Sequence, residues 1–411
     1  MKKLYIKKIR KISGDMLVNI FATIIPVLVL QFALLPIVAG RYDDANYGLA
    51  LVLISLITIS AQSFSVSLGN SRLLLNDTYV KLNKVGDFNV LLIAYCIINI
   101  ILLSIGTYLY EGFLNPLNVG LIVSISIFQL VRRYLLVSFR LKIYFKGILY
   151  SNIILVIGYM VGMILFLLTD LWQLIYLTGE LISLIYVMIK TKLLREPFEI
   201  TQLFKRTTKH SLVILIAALL GTANTQIDKL ILFPILGAKM VAVYHISTLF
   251  GKTLSMGVAP INNVLLTYLS KMNHFKIGYF KMLLFTASIL GVLSYYFVIL
   301  VSEPILTFLY PSYAQEALEL IYITTSTAII TMVSTVINPV IMKFCNITWQ
   351  IWLNIINIVT FVTMAFFLVQ INGILGFCYA ALIASIIKLI IMIAVYYKKA
   401  KTPAVTERAV I

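Results

Sequence analysis

The segment LGTANTQIDKLILFPILGAKMVAVYHIS, residues 220–247, sets an acid and a base side by side in an apolar run, Asp228 and Lys229. Consecutive residues of a helix point about 100° apart, so the two open onto adjoining faces. Asp228 shares its face with Gly221, Asn224 and Thr225, and Lys229 shares its face with Thr222, Thr225 and Gln226. Two chemistries suit this polar sector. Either it is a structural hydrogen-bond network, or Asp228 exchanges a proton or a sodium ion, or pairs with a cation. Glu180 is the other deep acid, and an interior lysine would suit it as a partner. Cations recur in the same setting, because Arg72, Arg132, Arg133, Lys252 and Lys388 all fall inside apolar runs. Arg offers a planar fork that bonds two phosphate oxygens, and Lys a mobile point charge. Cys96, Cys345 and Cys378 form no C-x-x-C pair, and His210, His245 and His274 are far apart, so neither a disulfide nor a metal site is expected.

What surrounds these charges follows from composition. Of 411 residues 61% are hydrophobic and 12% charged, with a mean hydropathy of +1.01, where a soluble domain has roughly a quarter of its residues charged. Apolar runs long enough for a bilayer core of about 30 Å recur throughout, without the period-two alternation of a membrane barrel. The fold class is an all-α polytopic membrane protein. Twelve transmembrane helices are expected, at 16–38, 47–71, 88–110, 117–139, 147–169, 171–189, 211–236, 242–269, 281–301, 317–342, 347–369 and 373–397. The stretch from Met16 to Val38 is too long for the core of a cleaved signal peptide, so it reads as a retained span despite the small residues at Val38-Ala39-Gly40. Pro26, Pro36, Pro234, Pro260 and Pro339 are expected to bend or end helices. Gly158 and Gly162 form a G-x-x-x-G suited to close helix packing.

The net charge of +18 is not a nucleic-acid signature, since it lies in short loops between apolar runs. With the N-terminus inside, inner segments hold 28 of the 33 Lys and Arg, counting Arg72, Arg132 and Arg133 with their adjoining loops, and outer loops hold only Arg41 and Lys239. The positive-inside rule then places both termini in the cytoplasm. Trp172, Trp349 and Trp352 stand near span ends, as interfacial anchors do.

The chain also repeats itself. PIVAGRYDDANYGLA from Pro36 and PILGAKMVAVYHIS from Pro234 share a pattern 197 to 198 residues apart, and SNIILV at Ser151 is echoed by LNIINIV at Leu353. Six spans per repeat is an even number, so the halves share one orientation. The expected organisation is a six-helix lobe over 1–190, a cytoplasmic linker over 191–210 and a second six-helix lobe over 211–411. Two parallel lobes around a central cavity suit alternating access.

On these residues the chain resembles the polysaccharide flippases of the multidrug/oligosaccharidyl-lipid/polysaccharide exporter superfamily. Asp228, Lys229, Gly237 and Tyr244 match the pattern of their seventh span and the start of the eighth. Tyr47 and Gly48 match the Tyr-Gly of the first half, and NGILGFCYAALIASIIKLI is similar to their last span. The resemblance implies a cargo: an anionic oligosaccharide linked to polyprenyl diphosphate, flipped to the outer leaflet of a bacterial cytoplasmic membrane. It also implies partners among other polysaccharide-assembly membrane proteins, and no cofactor beyond a coupling proton or sodium gradient. The major facilitator loop G-x-x-x-D-R-x-G-R is missing between spans 2 and 3, where the chain reads LGNSRLLLNDTYVKLNKVGD.

A buried charge costs about 2.5–3.5 kcal/mol at the bilayer centre on insertion scales, so each intramembrane cation must face protein, water or a headgroup. Arg72, Arg132 and Arg133 stand close enough to the inner face to snorkel, or else they line an electropositive cavity. Lys252 and Lys388 are deeper and are expected to face that cavity and bind phosphate. Two alternatives remain. A cation-coupled multidrug exporter would use a deep acid in span 1, which offers Asn19 and Gln31 and only Asp15 at its mouth. A membrane-embedded glycosyltransferase or polymerase would need paired outer carboxylates with a base or metal, and SEPILTFLYPSYAQEALE supplies only Glu303, Glu316 and Glu319. An enzyme is not expected.

Overall fold

The computed structural model describes residues 18, 20–113, 115–256, 258, 269, 277–345 and 348–401. Asp15, Asn19, Pro260 and His274 lie outside the described residues. Twelve helices are found among the described ones: α1 (Ile20–Arg41), α2 (Asp44–Lys81), α3 (Asp87–Glu111), α4 (Pro116–Leu141), α5 (Phe145–Thr169), α6 (Gln173–Lys190), α7 (Phe204–Leu236), α8 (Ala238–Met256), α9 (Ile277–Leu309), α10 (Ala314–Phe344), α11 (348–371) and α12 (374–401). The last two run on as one helical stretch, and what separates them is Asn372 (φ −128°, ψ 18°) followed by Gly373 (φ 54°, ψ −132°). Only glycine enters that left-handed region without a Cβ clash. Leaving out α8, the other helices are long and apolar enough to cross a membrane, and the molecule is a multi-pass membrane protein.

Local chemistry sets the helix ends. Asp43 caps α2, accepting from the Asn46 amide at 3.0 Å, and Asn115 caps α4, accepting from the Leu117 amide at 3.1 Å with Pro116 at the first helical position. Pro36 lacks an amide hydrogen, and α1 passes through a π turn over Leu30–Leu34 just before it. Pro36 and its repeat partner Pro234 each stand in the last turns of a helix. The tyrosine beyond each turn, Tyr47 or Tyr244, is buried.

The chain forms two compact units, Met1–Val241 and Ala242–Ile411. The linker and α7 therefore group with the first six helices. In that first unit α5 and α6 meet through small residues. A Cβ on Gly158 would come within 2.6 Å of Gly179 Cα, and one on Gly162 would come equally close to Ile175 Cα, so the G-x-x-x-G is the seam of this pair. Helix α7 lies along α2, fastened by a row of hydroxyls. Ser55 donates to Gln226 at 3.4 Å, Ser63 pairs with Thr222 at 2.6 Å, Ser67 donates to the Ser211 carbonyl at 2.6 Å and Tyr79 pairs with Thr207 at 2.6 Å. Interhelical bonds of this kind average about 0.6 kcal/mol, so the row contributes roughly 2–3 kcal/mol.

In the second unit α10 packs against α9, α11 and α12. Thr324 of α10 donates to the Ser247 carbonyl of α8 at 3.0 Å. Tyr244 and Phe361 both meet Phe377 edge-on with centroids 5.2 Å apart, and Phe280 stacks on Tyr396 at 3.8 Å. Large apolar side chains stand exposed along α3, α5 and α9, among them Ile101, Leu168 and Leu300. That outer surface suits hydrocarbon, because every helical backbone group is satisfied within its own helix.

Candidate functional site

The intramembrane charges concentrate on four helices of the first unit and two of the second. Helix α4 carries Arg132 and Arg133 on successive faces. Arg132 grips Glu180 of α6 with both prongs, Nε to Oε2 at 2.5 Å and Nη2 to Oε1 at 3.2 Å, and its Nη1 donates to Asn152 Oδ1 of α5 at 3.3 Å. Both ends of this ion pair are almost fully buried, at 3% and 1% exposure. Asn152 is itself held, donating to the Ala22 carbonyl of α1 at 2.7 Å. Arg133 turns the other way and donates to Gln62 Oε1 of α2 at 3.0 Å. Of the two guanidinium groups Glu180 thus serves Arg132 alone, and Arg133 is left with a neutral carboxamide.

Nearer the linker, Arg72 is also an internal residue. Its Nη1 donates to the Tyr134 hydroxyl at 2.8 Å, its Nη2 bonds Glu196, and its guanidinium lies 5.1 Å above the Phe88 ring. Glu196 belongs to a clasp that holds the linker to the first unit. Asn89 donates to the carbonyls of Leu193 and Glu196 at 3.1 and 3.0 Å, and the Thr201 amide and hydroxyl donate to Asp87 at 2.7 and 2.6 Å. At the opposite end of the helices a second clasp joins Arg41 and Tyr42 to Asp170. Burial there raises the Tyr42 phenol above its ordinary pKa.

The polar sector of α7 is partly turned inward. Asp228 and Lys229 are buried, and Asp228 Oδ1 accepts from the Lys229 amide at 2.9 Å. Gln226 Oε1 receives Lys229 Nζ and Ser55 Oγ, each at 3.4 Å. Thr222 faces α2, Asn224 is half-buried, and Gly221 and Thr225 are exposed. In the second unit Lys252 of α8 sits 6.0 Å from the centroid of the Tyr244 ring, a cation–π distance. Lys388 of α12 donates to Asn354 Oδ1 of α11 at 3.3 Å.

No family model and no curated protein sequence matches the chain. Solved structures do. It superposes on an inward-facing multidrug resistance MATE family transporter of the MOP superfamily with a TM-score of 0.64 and 12% identity, over 95% of this chain and 96% of that one. The lipid II flippase MurJ in an inward closed conformation gives 0.59 and 13%, over 94% and 86%. The MATE transporter VcmN of Vibrio cholerae, as a mutant, gives 0.54 and 14%, over 97% of both. The fold is that of the MATE transporters and MurJ. At these identities the likeness is one of architecture, and it spans nearly the whole chain.

Within that MATE and MurJ fold, Arg132, Glu180 and Asn152 form one cluster, with Arg133 and Gln62 beside it. Arg72 stands with the linker clasp, and Asp228, Lys229 and Gln226 stand on the α2–α7 seam. Lys252 and Lys388 stand in the second unit, each with its own surroundings. Gln62, Asn152, Glu196 and Asn354 join the charged residues as their partners, Asp87 holds Thr201 of the linker, and none of the five is a charge inside an apolar run. A polar residue amid aliphatics was the available signal for Gln62, Asn152 and Asn354. Glu196 and Asp87 lie in stretches that read as ordinary loop and loop end, where an acid carries no signal of its own.

Proposed function

We propose that this chain is a flippase of the cytoplasmic membrane, moving a polyprenyl-diphosphate-linked oligosaccharide from the inner to the outer leaflet by alternating access. The observation that carries the reading is the uncompensated positive charge inside the helices. Arg133 and Lys388 each hydrogen-bond a neutral carboxamide, so each unit keeps a cation that no carboxylate among the described residues contacts at hydrogen-bond distance. A cationic interior attracts an anionic headgroup and repels a cationic drug. Arg133 would take phosphate oxygens in its fork and Lys252 would supply a point charge, while Lys388 would draw negative charge into the second unit. Arg132 and Arg72 would hold the scaffold through their ion pairs. The Asp228 and Lys229 sector would either couple transport to a proton or sodium gradient or fix α7 to α2.

The likeness to a lipid II flippase supports this reading, and the likeness to multidrug resistance transporters supports the alternative of drug export. Charge favours the flippase reading. Helix α1 has no acid between Ile20 and Arg41, so a carboxylate for a cationic drug is missing from its described length. Deleting the gene should remove a surface glycan and leave its lipid-linked precursor on the inner leaflet. Intact glycan together with sensitivity to cationic dyes would hand the case to drug export. The charge count in the loops supports cytoplasmic termini, and polysaccharide-assembly membrane proteins would be the partners.

A further inference from the structure

We propose that the second unit binds a small monovalent anion, of chloride size, beside Lys388. The proposal goes beyond the cargo reading and does not depend on it. It comes from comparing the fifth helices of the two repeats, whose asparagines meet cations on different neighbours, Arg132 on the fourth helix of its repeat and Lys388 on the sixth of its own. The echo between SNIILV and LNIINIV sets Asn152 of α5 against Asn354 of α11, the fifth helix of each repeat. Both asparagines turn Oδ1 toward a cation at 3.3 Å, Arg132 in one unit and Lys388 in the other. The first unit answers its cation with Glu180. In the second unit Lys388 lines a cavity of about 50 Å³ with Ser334, Asn338, Gln350 and Asn354, and no acid is among the described residues that line it.

Size and chemistry select the ligand. A water molecule needs roughly 10–15 Å³ of such space, so the inner part of this cavity, at about 50 Å³, has room for a few waters or one small ion. The Ser334 hydroxyl is committed to the Ile330 carbonyl at 2.9 Å. Thr335 likewise gives its hydroxyl to the Thr331 carbonyl at 2.8 Å, and the Asn338 amide faces Met342 Sδ at 4.0 Å. What remains for a ligand is the Lys388 ammonium and the carboxamides of Gln350, Asn354 and Asn338, of which the Asn354 oxygen is already turned to Lys388. The one full charge among the described lining residues is positive, so the site favours an anion over a cation. An ammonium at this depth, with no carboxylate among the described residues that line its cavity, is costly. A bound anion would fill in the second unit the role that Glu180 fills in the first.

The test uses the purified full-length protein in a chloride-free gluconate buffer, with chloride or bromide titrated in and thermal unfolding as the readout. Saturable stabilisation is expected, the folded-to-unfolded ratio rising about tenfold at ten times the Kd. Lys388→Met should abolish the anion dependence. Asn354→Asp should abolish it too, by supplying an internal carboxylate, and should be as stable without chloride as the wild type is with it. If Lys388→Met does not fold, Asn354→Asp decides alone. A wild type indifferent to chloride and bromide would overturn the proposal, as would anion dependence that survives in Asn354→Asp. A short-chain prenyl diphosphate serves as a second titrant. Stabilisation by it without any by chloride would sink the anion site and leave the cargo reading standing, and the opposite pattern would do the reverse.

Discussion

Arg132 and Arg133 are neighbours in sequence with opposite situations, and that contrast makes them separable by experiment. Arg132 and Glu180 bury a full ion pair, and removing one partner of such a pair costs about 3–5 kcal/mol because the other charge is stranded. Glu180→Gln and Arg132→Ala should each lower thermal stability by that order. The apolar double replacement Arg132→Met with Glu180→Leu should restore most of it. If the single variants unfold at the wild-type temperature, the pair is not the structural anchor drawn here. Arg133 strands only a carboxamide when removed, so Arg133→Ala should fold normally and fail in transport. For Asp228, the Asn variant keeps an acceptor for the Lys229 amide. Transport unimpaired in Asp228→Asn would mark it as structural, and loss with normal folding would mark it as an ion carrier. Asp228 beside Lys229 was legible in the sequence, and so was a cation for Glu180, though it is Arg132 and not a lysine. Which residues Arg132 and Arg72 meet was not, because one partner is two helices away and the other is in the linker. Periodicity shows that a charge lies in a span, and says nothing of what stands opposite.

At the scale of elements, the apolar runs did reveal the helices, and the gap expected between the last two spans, after 369 and before 373, falls where Asn372 and Gly373 leave the helix. The close approach of α5 and α6 was also legible, in Gly158 and Gly162. Gly162→Val should place two methyl groups against the backbone of Ile175 and lower stability by about 1–3 kcal/mol, measurable as a fall in the thermal midpoint. What the sequence concealed was the attachment of α7. Counting spans assigns it to the second half, yet its Ser and Thr residues, weak signals taken singly, line up against those of α2. If α7 travels with the first unit, a disulfide between Ser63→Cys and Thr222→Cys should form readily and leave transport intact. Transport that stops on oxidation and returns on reduction would show that the α2–α7 seam opens during the cycle.

For the whole molecule, the most informative part of the sequence was the charge between the helices rather than within them. With the N-terminus inside, inner segments would hold 28 of the 33 basic residues and outer loops two, an asymmetry that predicts this orientation because basic loops resist translocation. The arrangement is testable with an impermeant maleimide on intact cells, after Cys96, Cys345 and Cys378 are replaced. A cysteine must be accessible to report its side, and here the structure guides the choice. Tyr313, between α9 and α10, is buried at 2% exposure, so its exposed neighbour Ser312 is the better reporter of that loop. Asp43→Cys and Ser312→Cys should label from outside. Ile200→Cys, at 68% exposure in the linker clasped to the first unit, should label only after the cells are permeabilised. External labelling at position 200 would invert the molecule. The basic loops and the linker would then face away from the leaflet where a lipid-linked precursor is made, and the flippase reading would fall with the topology.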